Sequence, residues 1–195
     1  MNREIYATDG EYTLCPIAEE DKELYVELHR QTNVESTLFL NPYVKDIMWD
    51  GVMTGENKVY SIFDANSEYC GSMELQHPDD DTPEIGIDLL ESKRNKGIAA
   101  KVVRLLAREA YEERNVEYFL LRISSRNKHS RHVADKIGAI LIDEEDTMFE
   151  RFLNAIDEEH RATILEYLQE RNNDGSDDED EVIYRYKLLP EVFNK

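Results

Sequence analysis

The residues with the clearest chemical use are Arg94-Asn-Lys-Gly-Ile-Ala99, set between a short β-favouring run, Glu84 to Leu90, and an amphipathic stretch beginning at Gly97. A helix N-terminus offers backbone N–H groups with no intrahelical partner and the positive end of the helix dipole. A loop that opens a helix therefore suits a pyrophosphate where no side chain blocks the approach. Gly97 removes one side chain at that turn, and Lys93, Arg94 and Lys96 add positive charge beside it. A charged surface loop with a convenient glycine has the same composition, and one glycine does not separate the two readings. The loop lacks both Gly-x-x-x-x-Gly-Lys-Ser/Thr and Gly-x-Gly-x-x-Gly, so neither ATP nor a dinucleotide is favoured.

Other reactive residue types give less. His129 and His132 can share a helix face, yet no acid or sulfur stands at ligand spacing, so a metal site is not expected. Cys15 and Cys70 are far apart and read as reduced thiols. The acidic run Asp177 to Glu181 reads as a solvated loop.

The positioning elements follow from periodicity. Tyr12 to Ile17 reads as a strand, and Glu19 to Gln31 as a helix with Leu24 and Leu28 at helical spacing. Asn41-Pro42 opens a second helix carrying Tyr43, Val44, Ile47, Met48 and Val52, whose end Gly51 and Gly55 erode. Val59 to Phe63 and Tyr69 to Gln76 flank a polar Asp64-Ala-Asn-Ser67 turn, the pattern of a hairpin. Glu84 to Leu90 is a strand. Gly97 to Arg114 is a helix whose apolar stripe is Ile98, Val102, Leu105, Leu106 and Ala110. Tyr118 to Ile123 is a nearly continuous apolar strand, and Ser130 to Ile137 a short helix closed by Gly138 before the strand Ala139 to Ile142. Glu144 to Arg171 has helical periodicity through Phe149, Phe152 and Leu168. An acidic connector to Asp180 and an alternating strand, Val182 to Leu188, follow. The strand and helix order makes an α/β chain, read as one domain over 1–195 with residues 144–180 as a helical insertion and acidic loop.

At 195 residues with 41% hydrophobic and 34% charged side chains, the chain can bury a core. Its opening, Met1 to Tyr6, has no apolar h-region and no stretch is long enough to span a membrane, so a cytoplasmic protein is expected. The net charge of −20 argues against nucleic acid or an anionic membrane as partner and favours cationic ones. The charge is uneven: Lys93 to Lys136 holds twelve Lys and Arg against five Asp and Glu, a balance of +7 that leaves −27 for the rest. Such a block is either a solvated face or the seat of an anionic ligand.

Arg94-Asn-Lys-Gly-Ile-Ala99 resembles the Arg/Gln-x-x-Gly-x-Gly/Ala signature of the GCN5-related N-acetyltransferases (GNAT), in its setting between strand and helix as well as in its letters. The run Asn127-Lys-His-Ser130-Arg-His-Val133-Ala-Asp-Lys136-Ile-Gly138 is similar to the Asn-x-x-Ser-x-x-Val-x-x-Lys-x-Gly pattern of the branch that includes ribosomal-protein N-terminal acetyltransferases. The resemblance spans Tyr12 to Ile142, with the strand near Val182 completing the sheet.

The resemblance implies the GNAT fold: a mixed, largely antiparallel central sheet splayed at an acetyl-CoA cleft, here with an extra helical insertion before the last strand. It implies that the backbones of Ile87 and Leu89 pair with the pantetheine, that the amides of Asn95, Lys96, Gly97, Ile98 and Ala99 bind the pyrophosphate with Arg94 and Lys96 assisting, and that Asn127 hydrogen-bonds the pantetheine arm. It further implies direct attack of a neutral amine on the thioester, with a base, a polarised carbonyl and an acid for the thiolate. Glu84 is the base this reading selects, with Asp88 and Glu74 as rivals and a plain strand carboxylate as the bland role for each. Many members carry a Tyr seven residues after the Asn; here that position is Ala134, and Ser130 is the substitute acid. The expected activity is acetyl transfer to a primary amine: a protein N-terminus, a polyamine or a small amine. The alternative is a non-catalytic CoA-binding regulatory or interaction module. The insertion leaves three uses open: a wall of the acceptor pocket, a homodimer contact, or packing on the sheet.

Overall fold

A computed structural model describes residues 3–32, 40–146, 158, 160–161 and 181–193. Among the described residues, eight strands form one sheet: β1 (Ala7–Thr8), β2 (Tyr12–Pro16), β3 (Lys58–Asp64), β4 (Tyr69–Gln76), β5 (Glu84–Leu89), β6 (Phe119–Ser124), β7 (Ile140–Asp146) and β8 (Val182–Leu188). Their spatial order is β1-β2-β3-β4-β5-β6-β8-β7, and every pairing is antiparallel except β5 with β6. The complete α-helices among the described residues are α1 (Lys22–Thr32), α2 (Pro42–Thr54), α3 (Ile98–Glu113) and α4 (Lys128–Ile137).

Cross-strand partners share a face of a sheet, so the register sorts the side chains. Val59 pairs with Glu74, Glu74 with Gly86, Ser72 with Asp88 and Gln76 with Glu84. Val59 is buried with Tyr25 of α1 and Trp49 of α2, which puts all of these residues on the α1–α2 face. Met73 with Ile87 and Leu75 with Ile85 lie on the other face, in the main core with α3 and α4. That core holds the whole α3 stripe expected from the sequence: Ile98, Val102, Leu105, Leu106 and Ala110 are all buried.

Local chemistry explains the boundaries. Asp64 Oδ1 accepts from the amides of Asn66 and Glu68, closing the β3–β4 turn. Asn41 caps α2 by accepting from the Tyr43 amide, with Pro42 in the first turn. Gly51 does not end α2, which runs on to Thr54. α1 buries Tyr25, Val26 and Leu28, whereas Leu24, expected in its stripe, is exposed. Only Trp49 is buried on α2; Tyr43 and Ile47 face outward. α4 starts at Lys128, two residues before the expected start, because Asn127 supplies its cap, and it ends at Gly138 in the left-handed region as expected.

Residues 144–146 were expected to open the helical insertion. They instead extend β7, where Glu144, Glu145 and Asp146 pair with Tyr184, Ile183 and Val182, and Glu145 forms an ion pair with Arg122 across the sheet. An available strand partner and an opposite charge outweigh local helical periodicity here. Most of the expected insertion and all of its acidic loop lie outside the described residues.

Gly71 pairs with Leu89 at the upper end of β5. A Cβ at Gly71 would stand 2.1 Å from the Asp88 carbonyl oxygen and 2.9 Å from Leu89 Cα, both backbone atoms. Gly71→Ala must therefore push the end of β5 away. It is expected to cost about 1–3 kcal/mol, read as a melting temperature roughly 3–10 °C lower; an unchanged melting temperature would show that the strands tolerate the separation.

Candidate active site

The two parallel strands pair only at Glu84↔Leu120, where the Leu120 amide bonds the Pro83 carbonyl, 2.9 Å. Beyond that point they part. The Leu90 amide donates to the Cys70 carbonyl, 3.0 Å, which fixes the alternation: even-numbered residues of β5 bond β4, and odd-numbered ones turn their N–H and C=O groups the other way. Ile87 and Leu89 thus present backbone groups to the open gap, with no described strand beside them. Leu89 C=O receives Arg94 Nε at 3.0 Å, leaving the Leu89 N–H and both groups of Ile87 facing the cleft. An extended chain carrying amides fits this edge as an added strand.

Above the gap, a short 3₁₀ turn, Glu91–Lys93, leads into Arg94 to Gly97. Asn95 at φ 59° and Gly97 at φ 77° both take the left-handed conformation, which Asn tolerates and Gly prefers. Gly97 is the N-cap of α3 and provides no side-chain cap. Among the described residues, no loop or capping hydrogen bond uses the amides of Asn95, Lys96, Gly97, Ile98 or Ala99. These are exposed donors at a positive helix end, the chemistry a phosphate needs. Arg94, Asn95 and Lys96 are exposed, Ile98 is buried beneath them, and Ala99 is partly buried. Lys93 does not join them: its ammonium is held by Asp64 at 2.9 Å and Glu68 at 2.7 Å, which ties the loop to the β3–β4 turn.

Across the gap, Asn127 spends its Oδ1 on capping α4, accepting from the Ser130 amide at 3.0 Å, so Nδ2 is the donor left for a ligand. Ser130 is partly buried in the first turn of α4. Ala134, one turn on, is buried in the core and offers no acid.

The α1–α2 face carries three carboxylates near the gap: Glu84 and Asp88 on β5, which borders it, and Glu74 on the neighbouring β4. Burial holds the Glu84 carboxyl above the usual carboxylate range, and nearby Arg122 and His77 oppose that. Glu74 accepts from Asn57 Nδ2 at 2.8 Å and Gln76 Nε2 at 2.9 Å. No described Lys or Arg forms an ion pair with Glu74, Glu84 or Asp88. The fields of Asp88 and Glu74 reach both Tyr25 and His29 on α1, whose rings lie 4.3 Å apart; burial lowers the His29 pKa and raises that of the Tyr25 phenol. Tyr25 and His29 were missed in the sequence, although their i, i+4 spacing on one helix was a readable signal. His129 and His132 are both exposed on α4, and no cluster of three potential metal ligands occurs among the described residues.

The acetyltransferase (GNAT) domain family matches residues 12–140. The chain belongs to this family. Solved structures with the same fold include a chimera of spermidine N-acetyltransferase SpeG from Vibrio cholerae and hSSAT, 12% identical with TM-score 0.66, covering 95% of this chain and 99% of that one. Spermidine N-acetyltransferase from Vibrio cholerae in complex with CoA and spermine is 13% identical with TM-score 0.65, covering 96% and 100%. A dodecameric structure of the same enzyme is 13% identical with TM-score 0.65, covering 95% and 97%. No curated protein matches the sequence.

As a GNAT member the chain is an acetyl-CoA-dependent N-acetyltransferase, and the parted strands and uncapped α3 are a fit for that co-substrate. No described helix is long and apolar enough to cross a membrane. The double use of Asn127 gives a separable prediction. Asn127→Asp keeps the capping oxygen and loses the donor, so the melting temperature should hold while CoA affinity, by titration calorimetry, falls about threefold to tenfold. Equal affinity would mean that Asn127 only caps the helix.

Proposed function

We propose that this protein acetylates a cationic primary amine of the polyamine class by direct attack on acetyl-CoA. The observation that carries this is the pair Glu74 on β4 and Asp88 on β5, two carboxylates without a described Lys or Arg partner on the α1–α2 face, Asp88 on a strand that borders the gap and Glu74 one strand away. Uncompensated carboxylates beside a partly closed face favour an ammonium ligand. The net charge of −20 adds long-range attraction for it. A spermine complex of a structural neighbour supports the same class of acceptor.

In this reading acetyl-CoA supplies the acetyl group as a thioester. The Ile87 and Leu89 backbone orients the pantetheine, and the amides from Asn95 to Ala99 hold the pyrophosphate. Glu84, lying at the point where β5 and β6 diverge, takes the proton from the amine, directly or through water, as the C–N bond forms and the C–S bond breaks. Its raised pKa brings it closer to the working pH of a base. Ser130 is the hydroxyl assigned to the departing thiolate. Glu74 and Asp88 hold a second ammonium of the acceptor.

Glu84→Gln is expected to lower kcat by about 100-fold or more with CoA affinity within about twofold, measured by thiol release. Equal losses in both would remove Glu84 as the base. Since the folded carboxyl titrates above its ordinary range, the acid limb of the wild-type kcat profile should fall as pH drops through that raised value. By the same sign, the stability Glu84 contributes is present below its unfolded pKa and is lost as pH rises through the folded one. The Gln variant should therefore melt no lower than wild type at neutral pH. Glu74→Gln should raise KM for a triamine about tenfold and leave KM for a monoamine unchanged. CoA binding without thiol release for any amine would instead favour a non-catalytic CoA-binding module, a reading consistent with the buried Ala134.

A further inference from the structure

A cavity of about 370 Å³ lies at the lower end of the sheet, where β2 finishes and β3 begins. The last turn of α2 and the last residue of α3, Glu113, complete its lining. α3 is 16 residues long, so about 24 Å of helix separate this end from the Gly97 turn. The cavity is thus distinct from the site assigned to the acetyl-CoA pyrophosphate.

Its walls are of two kinds. Ile17, Val52 and Met53 make an apolar side, while Tyr6, Lys58 and Glu113 bring polar atoms. Tyr6 stacks on Tyr60 with ring centroids 4.4 Å apart. The Tyr6 hydroxyl is buried, and neither Tyr60 nor Glu113, both close enough to act on its pKa, is placed to complete a hydrogen bond. Burial raises the pKa of both phenols, so each keeps its proton and still offers an oxygen lone pair. A buried hydroxyl in that state costs free energy that a ligand N–H relieves. Glu113 faces Lys58 at 3.5 Å, and both side chains are about half exposed, an ion pair of small net worth.

Two lining residues connect the cavity to the acceptor face. Val59 is the cross-strand neighbour of Glu74, and Asn57 donates Nδ2 to Glu74 at 2.8 Å. Glu84 pairs with Gln76 on β4, and the adjacent Leu75 pairs with Lys58 on β3. Glu84 and the cavity mouth therefore stand at one level of the sheet, two strand spacings or about 10 Å apart.

We propose that this cavity is the subsite for the far ammonium of a long linear polyamine, with Glu113 and the Tyr6 hydroxyl as its ligands. The assignment rests on the polyamine reading and extends it. The reacting amine lies at Glu84, Glu74 holds a middle ammonium, and the methylenes beyond it run along Ile17, Val52 and Met53. Lys58 fills the ammonium position in the free protein and yields it to the acceptor.

Steady-state thiol release with a linear tetraamine and with a short diamine tests this, because only the longer chain reaches the cavity. Glu113→Gln should raise the ratio of tetraamine KM to diamine KM about tenfold. Lys58→Gln should lower that ratio about threefold, since it removes a competing ammonium. A ratio unchanged in Glu113→Gln, or not lowered in Lys58→Gln, would overturn the assignment; the second result is what a merely structural ion pair predicts. Both side chains are half exposed, so melting temperatures should hold. Tyr6→Phe keeps the stacked ring and drops only the hydroxyl. It should melt no lower than wild type and raise the ratio about threefold, and it decides the matter if Glu113→Gln proves unstable. No thiol release with either amine would count against the polyamine reading itself, an outcome distinct from turnover of both with no effect of Glu113.

Discussion

One hydrogen-bonded contact between β5 and β6, followed by divergence, is the constraint on which the rest of the molecule depends. Elsewhere in the sheet each strand finds its partner along most of its length, and here the ladder stops after Glu84 and Leu120. Backbone N–H and C=O groups left at such an edge need partners, so an interior gap in a sheet is stable only if something polar fills it. Gly71 keeps β5 seated on β4 through a contact no Cβ permits, while the turn after Leu89 carries the chain at once into α3. The gap and the uncapped helix end are thus two consequences of one short segment.

Charge is distributed to match. On the side reached by α3 and α4, the Lys136 ammonium lies near the exposed amides at Gly97; on the side covered by α1 and α2, the fields of Glu74 and Asp88, which have no described Lys or Arg partner, reach Tyr25 and His29. In the proposed reaction, an anionic carrier and a cationic acceptor approach the same strands from opposite faces without crossing each other's fields. A chain of net charge −20 attracts cations at long range, so an anionic carrier has to be held by local donors such as the α3 first-turn amides.

Much of this was readable from residue order. The hairpin turn at Asp64, the α3 stripe, the caps at Asn41 and Gly138 and the loop at Arg94 are local patterns, and local patterns survive folding. What was not readable depended on distant partners. Lys93 belongs to the loop by position but to Asp64 and Glu68 by contact. Lys136 has the reverse history, remote in sequence and adjacent in space to Gly97. Glu144 to Asp146 follow β8 rather than their own periodicity, because a strand partner dozens of residues on decides their state. Leu24 was assigned inward by spacing, yet the aromatic partners that α1 meets turned Tyr25 toward the sheet instead.

The alternation along β5 allows a direct test. Amide hydrogen exchange on the full chain, with and without saturating CoA, separates groups that face the gap from those already bonded to β4. The amides of Ile87 and Leu89 should slow by about tenfold or more when CoA binds, while Gly86 and Asp88 change little. Bound CoA with Ile87 and Leu89 exchanging as before would show that nothing pairs with this edge, and the parted strands would lose their role as the cleft.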